Sequence, residues 1–109
     1  MPHRVRIGNT IWTVETADTF YKRLFGLIGR ASLPKGCGLL LFDCPDIHTC
    51  FMRFVIDAVY LNAQYEVLSC QTLRPWRVGR PVKGARHVLE LPGGAARGIR
   101  AGARLELLL

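Results

Sequence analysis

Acidic residues are scarce in this chain: eight Asp and Glu stand against fifteen Lys and Arg, giving a formal charge of +7. The imbalance favours encounters with anionic partners without specifying a site. No apolar run approaches the roughly 20 residues that a membrane-spanning helix requires, so such a helix is excluded. The amino terminus, Met1-Pro2-His3-Arg4, leads into alternating residues and not into an apolar segment with a small-residue cleavage site; the expectation is a cytoplasmic protein. There is no Ser or Gln tract, no linker and no repeat at a fixed period, which leaves a single domain over residues 1–109. No CxxC pair is present either: Cys37, Cys44, Cys50 and Cys70 are spaced otherwise. In a reducing compartment they read as free thiols.

What the chain does have is apolar residues, half of the total, enough for one core without disulfide or metal staples. Val5 and Ile7 alternate with Arg4 and Arg6, Gly8-Asn9 supplies a tight turn, and Ile11 to Val14 form the return strand. From Thr16 to Gly29 the period changes, with Phe20, Leu24, Leu27 and Ile28 three and four apart, a capping Asp18 or Thr19 and a terminating Gly29. This predicts one short helix over about residues 18–29. Further strands are expected at Gly38 to Phe42, Ile47 to Met52, Asp57 to Leu61, Tyr65 to Leu73, Trp76 to Val78, Arg86 to Leu91 and Arg104 to Leu109. A brief helical turn is expected after Pro92-Gly93-Gly94. The fold class is mainly β: a small closed or partly closed barrel or sandwich of about 7–9 short strands with that one helix.

Chemistry-bearing residues concentrate between Cys44 and Asp57. Strand alternation over Ile47 to Met52 puts His48, Cys50 and Met52 on one face and Ile47, Thr49 and Phe51 on the other, with the second set expected to face the core. Cys44, His48, Cys50 and Met52 have the softness to ligate Cu(I), but the spacing matches no established zinc or copper motif, and Cys and Met are ordinary packing residues. A Cys44 or Cys50 nucleophile activated by His48 or His87 is the enzymatic alternative. Strand neighbours two apart are separated by more than about 6 Å, which disfavours a Cys50–His48 bond without a bulge. Asp57 shares a face with Val59 and Leu61, so its carboxylate is expected inside, held by Arg53, Arg30 or Arg23 or by backbone donors. Its structural role would be to anchor the 52–56 loop. Glu90, between Leu89 and Leu91, is expected to alternate outward into solvent.

The carboxyl-terminal half carries Arg74, Arg77, Arg80, Lys83, Arg86, Arg97, Arg100 and Arg104. Only Trp76 lies among them, and no RNA- or DNA-binding signature appears. A solvated basic face is the favoured reading, and nucleic acid is not the favoured partner.

The run Arg23-Leu-Phe-Gly-Leu-Ile-Gly-Arg30, then Leu33-Pro34, Gly36-Cys-Gly-Leu-Leu-Leu-Phe42, Phe51-Met52-Arg53, Ile56-Asp57, Val88-Leu-Glu-Leu-Pro-Gly-Gly94, Gly98-Ile99 and Gly102 resembles the bacterial and archaeal domain-of-unknown-function family 192 across nearly the whole chain. The resemblance implies a compact, mostly β domain and no established activity. It also implies that many relatives are exported. Where the family has Met-Lys-Asn before Pro-Leu-Asp, this chain has Met52-Arg53-Phe54 and Ile56-Asp57, so Arg53 and Asp57 are the positions carried over. The leading functional expectation is a non-catalytic binding domain for an anionic small molecule or a partner protein, using His48, Met52, Arg53 and Asp57 with Arg23 or Arg30. No cofactor is called for. The alternatives are a thiol- or metal-dependent enzyme using Cys44, His48 and Cys50, and nucleic-acid binding through the dispersed arginines.

Overall fold

A computed structural model describes residues 3–17 and 30–108. The expected helix over residues 18–29, with its Arg23, lies outside the described residues. Seven strands make one sheet: β1 (His3–Ile7), β2 (Thr10–Ala17), β3 (Cys37–Leu41), β4 (Ile56–Leu61), β5 (Val67–Leu73), β6 (His87–Pro92) and β7 (Leu105–Leu108), in the order β5-β4-β6-β3-β2-β1-β7. All pairings are antiparallel except β2 with β3. The β1–β2 hairpin turns at Gly8, φ 61°, with Ile7 paired to Thr10. Asn9 keeps a negative φ, as in the two-residue turn that takes Gly first.

The sheet curls until its two ends touch. Glu66 bridges Arg104, and the Leu105 N–H donates to the Tyr65 carbonyl at 2.9 Å. Val67 and Ala103 bond at 2.7 Å beside them. The result is a partly closed barrel, and among the described residues the far end of β5 keeps an open edge.

Curling creates an inside and an outside, and both are packed. Val5, Trp12, Val14, Leu40, Val59, Leu61, Val67, Leu89, Leu91 and Leu105 fill the inside, with at least one residue from every strand. On the outside, Leu39, Leu41, Ile56, Ala58, Tyr60, Leu73 and Val88 are covered by Leu33, Ile47 and Met52 from the connections. β4 and β6 are therefore buried on both faces, which is why Ile56-Asp-Ala-Val-Tyr-Leu61 reads as a nearly unbroken apolar run while β1 and β2 alternate.

Two expected strands are reduced to single bridges. Within 47–52 and 76–78 the ladder consists of His48 opposite Val78, extended by bonds from Thr49 N–H to the Arg77 carbonyl (2.7 Å) and from Gly79 N–H to the Ile47 carbonyl (3.0 Å). The expected face division holds from Ile47 to Cys50 and then fails. Phe51 adopts φ 66°, reversing the alternation, so that Phe51 is 64% exposed and Met52 is buried.

Glu90 corrects the expectation of a solvent carboxylate. Its alternation is as read, since Leu89 and Leu91 face inside, but the outer face is covered and Glu90 is buried opposite Leu39 and Ala58. Burial pushes its carboxyl up to about 7 from the ordinary value of 4.5. At low pH the group is neutral in both folded and unfolded chains. As pH rises the unfolded chain ionises first, so stability is lost between about 4.5 and about 7 and then levels off. The difference corresponds to a loss on the order of 3 kcal/mol. Glu90→Gln should remove this slope. Urea unfolding at pH 4 and pH 8 should show wild type losing more stability than the variant over that interval; parallel losses would mean that the carboxyl finds a solvated or paired state.

Candidate functional site: an arginine cleft at the open edge of the sheet

The residues singled out between Cys44 and Asp57 do not converge. Met52 is buried in the outer core, whereas Asp57 sits on the inner side of β4 with Val59 and Leu61. His48 and Arg53 are exposed, and Arg30 pairs with Glu15 at 2.7 Å on the surface. Among the described residues the Asp57 carboxylate takes no arginine. One oxygen accepts from the Thr72 hydroxyl (2.8 Å) and the other from the Ala96 N–H (2.9 Å). It thus anchors the turn after β6, not the loop before β4.

The sulfur and imidazole groups are likewise engaged locally. The His48 Nδ1 accepts from the Cys50 backbone N–H at 3.2 Å, and the Cys44 thiol donates to the Asp46 carbonyl at 3.1 Å. His87 is stacked on Tyr65 at 4.8 Å with its Nδ1 accepting from the Asp43 N–H. Desolvation lowers its pKa, with Asp43 opposing and Arg86 reinforcing the shift. Among the described residues no disulfide forms, and burial, then Asp57, pushes Cys70 up. Among the described residues no three His, Cys, Asp or Glu side chains gather as a metal site.

A different set of residues does converge. Beyond the last residue of β5 the chain turns back over the outer face, and Gln71, Thr72, Leu73, Arg74, Arg77, Val78 and Arg80 line a cleft of about 310 Å³. No carboxylate belongs to its lining, and among the described residues the ion pairs are Arg6–Glu106, Arg30–Glu15 and Arg86–Asp43. Arg74, Arg77 and Arg80 thus line one concavity, and among the described residues no acid is bound to them; the Arg77 guanidinium donates to the Trp76 carbonyl at 3.4 Å.

Two side chains hold this loop. Thr49 is wholly buried; its hydroxyl accepts from the Arg77 N–H at 2.8 Å and lies 2.5 Å from the Arg74 carbonyl, its nearest acceptor, and 3.2 Å from that of Arg77. Its own carbonyl accepts from the Trp76 N–H at 2.9 Å. Gln71 clamps the other end as a strand would, its Nε2 donating to the Arg80 carbonyl (3.0 Å) and its Oε1 accepting from the Arg80 N–H (2.9 Å). Gly79 permits the close approach: a Cβ there would lie 2.2 Å from the Tyr60 hydroxyl. That hydroxyl is pushed up to about 12, chiefly by burial and then by Asp46 and Glu90, and remains protonated at neutral pH.

Sequence reasoning treated these arginines as dispersed. The signal that could have found them is Arg74-Pro-Trp-Arg77-Val-Gly-Arg80-Pro81, one arginine every third residue in a segment whose Pro75, Gly79 and Pro81 mark it as a loop. A second concavity, about 410 Å³, lies between the β1–β2 turn and the 95–103 turns. It has Arg97 and Arg100, and its 95–103 backbone is held from the inner face by the Asp57 bond to the Ala96 N–H.

Thr49→Val keeps the shape and removes the hydroxyl, leaving the part-buried bonds of the Arg77 N–H and the Arg74 carbonyl unmade. A loss of about 1–3 kcal/mol is expected in denaturant unfolding, whereas Thr49→Ser should retain most of the stability. Equal losses in both would assign the effect to the methyl group.

Sequence comparison matches residues 3–107 to DUF192, described as Uncharacterized ACR, COG1430. A UPF0127 protein of Pyrococcus furiosus is 36% identical over 102 residues, covering 85% of this chain and 84% of its own. Another, from Pyrococcus abyssi, is 39% identical over 84 residues, covering 74% and 72%. Among solved structures, a Sinorhizobium meliloti protein with the provisional description of a transcription regulator superposes with TM-score 0.85 at 22% identity, over 98% of this chain and 94% of that one. A protein of unknown function from Novosphingobium aromaticivorans gives 0.84 at 23% identity, over 97% and 84%. At those identities the likeness establishes the fold. By the near-complete span of the family match and the archaeal relatives, the chain belongs to the DUF192 family.

Proposed function

We propose that the domain is a non-catalytic binding module for an anionic ligand, taken in the Arg74–Arg77–Arg80 cleft. The observation that carries this reading is the cleft itself: three arginines without carboxylate partners among the described residues, on a backbone held by Thr49 and Gln71. Guanidinium is always charged and presents a planar fork of donors that matches phosphate and carboxylate oxygens, and positions fixed in advance lose little freedom on binding. The net charge of +7 adds long-range attraction at low ionic strength. The class of ligand is the one expected from the sequence, but the site has moved. Of the described residues first singled out, two touch its lining: His48 is paired through its backbone to Val78, and Asp57 accepts from the Thr72 hydroxyl.

Inorganic pyrophosphate is the simplest probe. Calorimetric titration should show saturable binding that weakens as salt rises, and Arg74→Ala or Arg80→Ala should weaken it by about tenfold each, or about 1.4 kcal/mol. Thermal unfolding should change little, because neither side chain holds the fold. Binding that survives the double substitution would relocate the site, and absence of any binding would remove the reading. Retained affinity for an acidic peptide, with none for pyrophosphate, would favour a protein partner.

A further inference from the structure

Of the exposed large apolar residues in the described chain, the three most exposed are Val78 (72%), Phe51 (64%) and Trp76 (57%). All three stand on the segments that Thr49 ties together. Phe51 and Trp76 face each other with centroids 4.6 Å apart and planes tilted by 57°. Trp76 lies between Arg74 and Arg77 in the chain and Val78 lines the cleft, so the ring pair stands on the same loop as the arginines, beside the cleft and outside its lining. By contrast Trp12, the other tryptophan, is 3% exposed in the inner core.

The backbone holds these rings out. Phe51 has φ 66° and Trp76 φ 63°, left-handed conformations that disfavour a bulky side chain. Strain of this kind persists where surrounding structure enforces it and gathers at functional positions. Here the enforcing contacts are the Met52 N–H to the Thr49 carbonyl (3.1 Å) and the Trp76 N–H to the same oxygen (2.9 Å). One carbonyl therefore orients both aromatic residues.

We propose that the arginine cleft and the Phe51–Trp76 pair form one face for single-stranded nucleic acid, with bases stacking on the exposed rings and the sugar–phosphate backbone following Arg74, Arg77 and Arg80. The proposal rests on the anion-cleft reading and names its ligand class. Ring faces beside a cationic groove are the combination that binds single strands: every base has a π-face, so stacking tolerates sequence, and phosphates supply the charge. A lipid headgroup plane would meet the rim and leave the concavity unfilled. An acidic peptide would use the arginines and leave the rings without a role. The uncharged polar side chains of the lining are already engaged, Gln71 with the Arg80 backbone and Thr72 with Asp57, so recognition is of strandedness and charge, with little sequence preference.

The test uses the full chain and fluorescently labelled 12-nucleotide oligo-U and oligo-dT, followed by anisotropy over a range of salt. Both single strands should bind, a duplex of equal length at least severalfold more weakly, and tryptophan emission should be quenched as Trp76 is covered. Trp76→Ala should weaken single-strand binding by about five- to hundredfold, the loss of roughly one stacked base, while leaving the salt slope and pyrophosphate affinity intact. Arg74→Ala should lower both the affinity and the salt slope, the latter by about one phosphate contact. Circular dichroism of the variants keeps misfolding separate, since both altered side chains are surface groups. Unchanged oligonucleotide binding in Trp76→Ala overturns the proposal. So does arginine-dependent pyrophosphate binding with no oligonucleotide binding, a result that leaves the anion cleft standing. Cosedimentation with phosphatidylserine vesicles that depends on Trp76, without oligonucleotide binding, would assign the face to a membrane and overturn it too. Failure of both pyrophosphate and oligonucleotides would sink the two readings together.

Discussion

The constraint on which the rest of this structure depends is that β4 and β6, largely apolar, are buried on both faces. The inside is satisfied by curling the sheet, because every strand then contributes to one core. The outside cannot be satisfied by the sheet itself. Connections must be laid over it, and those at Leu33, Ile47 and Met52 supply the covering side chains. Loops normally run over the surface because their backbone polar groups need partners. Bringing them against a sheet face therefore creates a second requirement, for hydrogen-bonding groups at the seam.

Thr49 and Gln71 meet that requirement. Both are polar residues buried against the outer layer, and both bond to backbone of the 74–80 loop. A loop fixed in this manner gives its outward side chains fixed origins, so three arginines that are unremarkable as surface residues share one concavity. Their mutual repulsion is moderated by solvent at an open cleft. Asp57 performs the corresponding task on the inner face, binding the turn after β6 through Ala96. The polar groups that first drew attention thus divide between anchoring and exposure.

Much of the fold was legible because strand formation leaves a period of two. Val5, Ile7, Trp12 and Val14 announce one-faced strands, Gly8 announces their turn, and the unbroken run at β4 announces double burial. What was not legible depends on which surface is covered. Glu90 alternates as expected, but periodicity cannot say that a loop lies over its side of the sheet. Phe51 leaves the pattern because one left-handed residue resets the phase, a local event that sequence does not encode strongly when the residue is not glycine. Thr49 carries no signal of its own: its importance comes from three groups about 25 to 28 residues away. The arginines could have been found by their spacing, yet nothing in the sequence says that their loop folds back over β5.

The pairing of β7 with β1 has a consequence for the order of assembly. Arg4 stands opposite Leu108, and Arg6 pairs with Glu106 across nearly the full chain. β1 and β2 can form their hairpin early, from adjacent sequence, but the outer edge of β1 stays uncovered until the last strand arrives. The outer edge of β1 is therefore an exposed template for foreign strands until β7 has been made, and completion of the sheet must wait for a long-range closure, the slow class of folding event. In this architecture, the strand that covers β1 is also the one that brings the two ends of the sheet together.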